Sequence, residues 1–209
     1  TGSLKGLAIQ AAKAGGAFFA AQGLLRGISS SFELFGIQEQ AEKRLEVALG
    51  RTSQALLDQA KALQVATKFG DEAVISVQAS IAAFIDNEDQ IKAATAATLD
   101  FAEATGMDLK GAGDLIAKTL GSSTNAMSRY GLEVTGTVGS TERLLSLTNA
   151  VASKFGGQAA AAAGTAAGKI EQMKNAVGDA AEAFGGLLVP IVVPLASGLK
   201  FLAEGAQAV

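Results

Sequence analysis

Apolar positions recur every three to four residues along most of this chain, and strict alternation is almost absent. Leu4, Leu7, Ala8 and Ala11 open the pattern, which predicts an amphipathic helix in an apolar, Gly-rich lead-in over residues 1–32. Ser30-Ser31-Phe32-Glu33 then offers a capping box, a hydroxyl for free amides and a Glu that reaches back. From Gln38 to Phe69 the periodicity predicts one long helix. Leu49, Leu56 and Leu63 recur at heptad spacing on one side of it, with Glu42, Lys43, Arg44, Arg51 and Lys61 elsewhere. These leucines are candidates for a helix–helix interface. Thr52 and Gln59 between them are poor seam residues, so packing within a bundle is preferred over a sustained coiled coil.

Gly70-Asp71-Glu72 stops this helix and starts another, whose buried stripe is expected to be Val74, Val77, Ile81, Phe84 and Ile85. Helix resumes over 90–104 and ends at Thr105-Gly106. Asp108 caps a further helix with Leu109, Ala112, Leu115, Ile116 and Leu120 inside, closed by Gly121. A helical turn over Thr124–Tyr130 is expected to end in a left-handed Gly131. Gly131–Gly139 is the one plausible extended stretch. Ser140 or Thr141 opens the next helix, with Leu144, Leu145, Leu147 and Val151 inside, closing at Phe155-Gly156-Gly157. Residues 156–168 read as an Ala/Gly hinge, and charged helix returns at Lys169.

The most apolar run follows, Ala183 to Leu199, about seventeen uncharged residues and so the lower limit for a membrane span. Pro190 and Pro194 inside it predict a kinked apolar segment around Leu188, Pro190, Val193 and Pro194. A buried, kinked helix packed on other helices explains the same run without a membrane and is preferred, since Lys200 and Glu204 arrive too soon for a comfortable span. The fold class is therefore all-α. Ala/Gly-rich helices joined by Gly turns form a bundle or an extended array, in four stretches: 1–32, 33–155, 156–168 and 169–209.

Composition sharpens this picture. Of 209 residues 49% are hydrophobic, yet only 5% are aromatic, and Ala alone supplies about a fifth. Helices built this way meet through small side chains. With 17 basic and 20 acidic residues the net charge is −3, which argues against a dedicated nucleic-acid binder. His and Cys are both absent, which excludes a Ser-His-Asp triad, a thiolate nucleophile and Cys/His zinc sites. The acidic cluster Asp86-Asn87-Glu88-Asp89 lacks the alternating ligands and central Gly of a calcium loop and reads as the start of a helix. No P-loop or dinucleotide fingerprint occurs, and the carboxylate pairs are adjacent in sequence, so no acid/base constellation is visible. No catalytic residue, metal or cofactor is expected. Gly131, Gly156, Gly168 and Gly185 are the candidates for turns or close approach. The chain begins at Thr1 and is expected to be part of a longer protein.

Several short stretches taken in order resemble phage tail tape measure proteins, from about Phe32 to Leu202. They are FELFGIQEQAEKRL and LQVATKFGDE, then Ala104-Thr105-Gly106-Met107-Asp108, Leu120-Gly121 and Ser128-Arg129-Tyr130-Gly131-Leu132. Phe155-Gly156-Gly157-Gln158-Ala159, Thr165 with Gly168, Asn175, and Gly185 through Pro190 follow. Order and spacing carry the resemblance rather than any single motif. It implies a structural component of a virion, a homo-oligomer of a few copies in the tail lumen or tail tip. Such proteins set tail length, contact tail tube and tail-tip (baseplate hub) proteins, and leave during genome ejection, with possible contact to the host envelope. Even one unbroken helix of this length would reach only roughly 300 Å, so the chain would be one segment of the whole. The alternative reading is a membrane-active, pore-forming helical protein, resting on Ala14–Leu25 and Ala183–Leu199.

Overall fold

A computed structural model describes residues 29–207, so the expected helix at Leu4–Ala11 and the apolar stretch Ala14–Leu25 lie outside it. The described chain is all-α, with no strand. Helix α1 covers residues 29–49, followed by α2 (Gln54–Ala66), α3 (Asp71–Ala82), α4 (Glu88–Thr105) and α5 (Leu109–Gly121). A 3-10 turn (Ala126–Tyr130) leads to α6 (Thr141–Phe155), α7 (Gln158–Ala163) and α8 (Ala166–Gln207). Contacts divide the chain into two units, one spanning Ile37–Val177 and the other made from the segments on either side of it.

The expected single helix over Gln38–Phe69 is in fact two. Gly50 adopts φ 68°, a left-handed conformation that ends α1, and Ser53 then caps α2 by accepting from the Leu56 amide. Stop and start signals sit inside a heptad run of leucines and override it locally. The helix propensity of the intervening residues is too weak to carry the chain through a glycine and a capping serine.

Within the larger unit, α4 lies against α2, α3, α5, α6 and α7, and α3 also packs on α2 and α5. Its core joins Val74, Ile75 and Ile81 of α3 to Ile91, Leu99 and Phe101 of α4, with Ile116 and Leu120 of α5 and Leu144 and Leu147 of α6. Small residues set the spacing. A Cβ at Gly113 would lie 2.9 Å from a Val77 methyl, so the backbone of α5 runs close against α3. Thr95, Thr98 and Thr119 are fully buried, and each returns its hydroxyl proton to the carbonyl four residues back, at 2.7, 2.7 and 2.8 Å. This satisfies the hydroxyl internally and lets threonine serve as a core residue.

Three further expectations change. Phe84 lies beyond the end of α3 and is 47% exposed, and Leu145 on α6 is 53% exposed. Residues 131–139 form turns and irregular chain, not an extended strand, because Gly136 and Gly139 take positive φ. Residues 156–168 contain α7, a helix over the consecutive alanines, whose Ala159 and Ala163 are buried.

In the smaller unit α8 presents Gly185 and Gly186 to α1. A Cβ at Gly185 would sit 2.2 Å from the Ser31 carbonyl oxygen, and one at Gly186 would sit 3.1 Å from the Phe35 ring. α8 is helical through both Pro190 and Pro194. Among the described residues no helix is long and apolar enough to cross a membrane.

Candidate functional site

Of the glycines singled out from sequence, Gly131 and Gly156 lie at helix junctions, Gly168 in the first turn of α8 and Gly185 well inside α8. The first junction joins α4 to α5. Gly106 is left-handed (φ 68°), and the Met107 amide donates to the Ala102 carbonyl at 3.1 Å, closing the end of α4. Asp108 then accepts from the Gly111 amide at 2.8 Å and starts α5. The second junction repeats the device: Gly131 has φ 69°, and Leu132 N–H donates to the Met127 carbonyl at 3.3 Å. Lys154 Nζ donates to the Tyr130 carbonyl at 2.6 Å and crosses the space a Cβ on Gly131 would need.

The third junction is Phe155-Gly156-Gly157. The left-handed residue here is Gly157 (φ 81°), and Gly156 has φ −55°. Gly156 instead allows close approach, since a Cβ on it would be 2.5 Å from the Ala152 carbonyl oxygen. Asp100 of α4 accepts from the amides of Gly157 and Ala159, both at 3.0 Å, and so caps α7 from fifty-seven residues away. Gly168 is a close approach of the same kind, its Cβ position lying 2.2 Å from the Ala162 carbonyl oxygen.

An aromatic cluster links these junctions. The Phe101 ring meets Tyr130 edge-on at 4.8 Å and Phe155 at 5.9 Å. Lys68 pairs with Glu103 at 2.8 Å, beside the first junction.

The leucine positions divide between two helices. Leu56 on α2 is fully buried, Leu63 on α2 and Leu49 at the end of α1 are partly buried, and all three pack on the same core. On α8 Leu188 is half-buried, whereas Pro190 and Pro194 are exposed; the side chain of Val193 is outside the described set.

The acidic loop 86–89 is occupied by capping. Asn87 accepts from the Gln90 amide at 3.1 Å, and Glu88 accepts from the Ser53 hydroxyl at 2.8 Å and from Arg51. The hydrogen bond from Arg51 and then that from Ser53 hold the Glu88 carboxyl below its ordinary pKa. Among the described residues no cluster of three or more acidic side chains could hold a metal ion.

One surface feature was not legible in the sequence. Two open clefts of about 290 and 470 Å³ share Ser80 and Asp114 and lie over α3 and α5, with Phe84 at one end and Ile37 and Arg44 at the other. Ser80 donates to Asp114 at 3.3 Å, and Lys110 pairs with the same carboxylate, which raises the Lys110 pKa. Arg143 was also missed: it is 4% exposed and donates to three main-chain carbonyls, of Thr119, Gly136 and Ser122, at 2.7, 3.1 and 3.0 Å.

Compared with known proteins, the chain matches no protein-family model, no curated protein and no solved structure.

Proposed function

We propose that this chain is a segment of a phage tail tape measure protein, a structural component of the tail. In this reading it lies in the tail tube lumen, contacts tube and tail-tip proteins in a few copies, and is released with the genome. One observation carries the proposal: several of the separated stretches on which the resemblance rests lie together in the fold, directly or through a shared ring. Asn175 donates to the Lys68 carbonyl at 3.1 Å, joining LQVATKFGDE to α8 across 107 residues. Tyr130 and Phe155, from two other stretches, share the Phe101 ring. Thr165 accepts from the Gly168 amide at 3.0 Å. Gly185 adjoins Ser31 and Phe35, the latter in FELFGIQEQAEKRL. These residues act as turns, caps and contacts, which is the work of a scaffold. A pattern that is coherent in space as well as in order is consistent with one inherited unit.

The test is antibody labelling of this segment on intact and on DNA-emptied phage particles. Protection in intact tails with exposure or loss after ejection is the expected result. Absence of the segment from particles would overturn the reading.

A further inference from the structure

We infer that the start of α8, Lys169–Val177, is clipped to the body of the larger unit by polar side chains and opens from it while the body stays folded. Gly168 is the last buried residue before this stretch. Gly168 is buried against the Ala162–Ala163 main chain, and Ala159 and Ala163 of α7 belong to the packed interior. From Lys169 to Val177 no residue is buried. The half-buried positions there are Glu171, Gln172 and Asn175, all polar, while Ile170, Met173 and Val177 are 50%, 61% and 64% exposed. The helix is amphipathic, and its polar side faces the body.

The attachment is specific. Gln172 Nε2 donates to the carbonyls of Val65 at 2.8 Å and Thr67 at 2.9 Å, and Asn175 Nδ2 donates to that of Lys68. These acceptors belong to the end of α2 and the residues after it, where helix termini leave carbonyls without intrahelical partners. Opening of this stretch exchanges each of the three bonds for a bond to water, and its own apolar side chains Ile170, Met173 and Val177 are already at least half exposed. Hydrogen bonds exchanged in this way contribute modestly to stability, whereas core burial contributes much more. Local opening therefore requires far less free energy than unfolding α3 to α6. This inference does not depend on the tail reading.

The chain has no cysteine, so a pair introduced at exposed sites, Ala62→Cys on α2 and Ala176→Cys on α8, can be spin-labelled without background. In the full chain the expected distance distribution has a dominant short component and a minor long one. Gln172→Ala combined with Asn175→Ala should raise the long component roughly tenfold or more, the effect of losing bonds of ordinary net strength. Gln172→Glu, which turns a carboxylate toward the carbonyls, should do so as well. In each case the urea midpoint for loss of helical signal should stay unchanged. A single distance insensitive to these variants would overturn the proposal. So would a midpoint that falls with them, or a variant that fails to fold, since either makes the clip part of the cooperative core.

Discussion

The guanidinium of Arg143 on α6 donates its Nε–H to the main-chain carbonyl of Thr119 on α5, 2.7 Å away and twenty-four residues earlier. Its two terminal nitrogens reach Ser122 and Gly136. The last turn of α5 carries carbonyls with no partner in the helix and the negative end of the helix dipole. A planar cation with a fixed fork of donors answers both needs while nearly buried. Arg143 thus fastens α6 to the end of α5 and pins the irregular chain between them.

Replacing Arg143 by Met keeps much of the volume and leaves three carbonyls without their donor. The expected loss of stability is about 3 kcal/mol, from desolvated acceptors rather than lost packing. Arg143→Lys should recover only part of it, because one ammonium cannot reproduce the fork. Urea unfolding followed by far-UV circular dichroism measures both. A loss below about 1 kcal/mol for the Met variant would mean that water replaces the guanidinium without penalty.

Gly50 and Gly136 both have positive φ but different surroundings. A Cβ at Gly50 meets nothing within 4 Å, whereas one at Gly136 would lie 2.6 Å from the Arg143 amide nitrogen. Gly50→Ala should cost about 1 kcal/mol, the left-handed penalty alone. Gly136→Ala adds a clash with main chain and should cost at least about 2 kcal/mol. Equal effects in thermal unfolding would show that the loop around Gly136 relaxes freely.

Asp100 holds the start of α7 through two amides. Asp100→Ala should cost about 1 kcal/mol, within the range for loss of a helix cap. Hydrogen exchange should locate the effect in residues 157–163, with α3 and α5 protected as before. Uniform acceleration across the unit would refute a local cap.

Glu88 gives the pH dependence a sign. Its folded pKa is lowered from the ordinary 4.5, with the Arg51 hydrogen bond the largest cause. A depressed carboxylate pKa contributes stability that is present above pH 4.5 and lost as pH falls through the folded value. The wild-type chain should therefore exceed Glu88→Gln in urea midpoint at neutral pH, and the gap should close below the folded pKa. A gap that persists at low pH would assign the difference to packing. Because the group is at the surface, the gap should also shrink at high salt.

The leucine run shows where sequence reasoning stopped. Leu49, Leu56 and Leu63 all lie against the core, but their heptad spacing suggested one helix where Gly50 and Ser53 make two. Phe84 satisfied the periodicity of α3, but the helix ended before it. At the third junction adjacent glycines share one local signal, and only the backbone assigns the positive φ to Gly157.

The sequence by itself determined the all-α class, the cap at Asp108 and the left-handed turn at Gly131, because periodicity, capping and glycine conformation act over a few residues. Only the tertiary structure decided that Asp100 caps α7, that Arg143 closes α5, and that α8 turns its amides inward to the carbonyls of Val65, Thr67 and Lys68. Those partners lie 24 to 107 residues apart. An Asp, an Arg or a Gln looks the same in sequence whether it faces water or a distant helix end, and packing alone brings the two together.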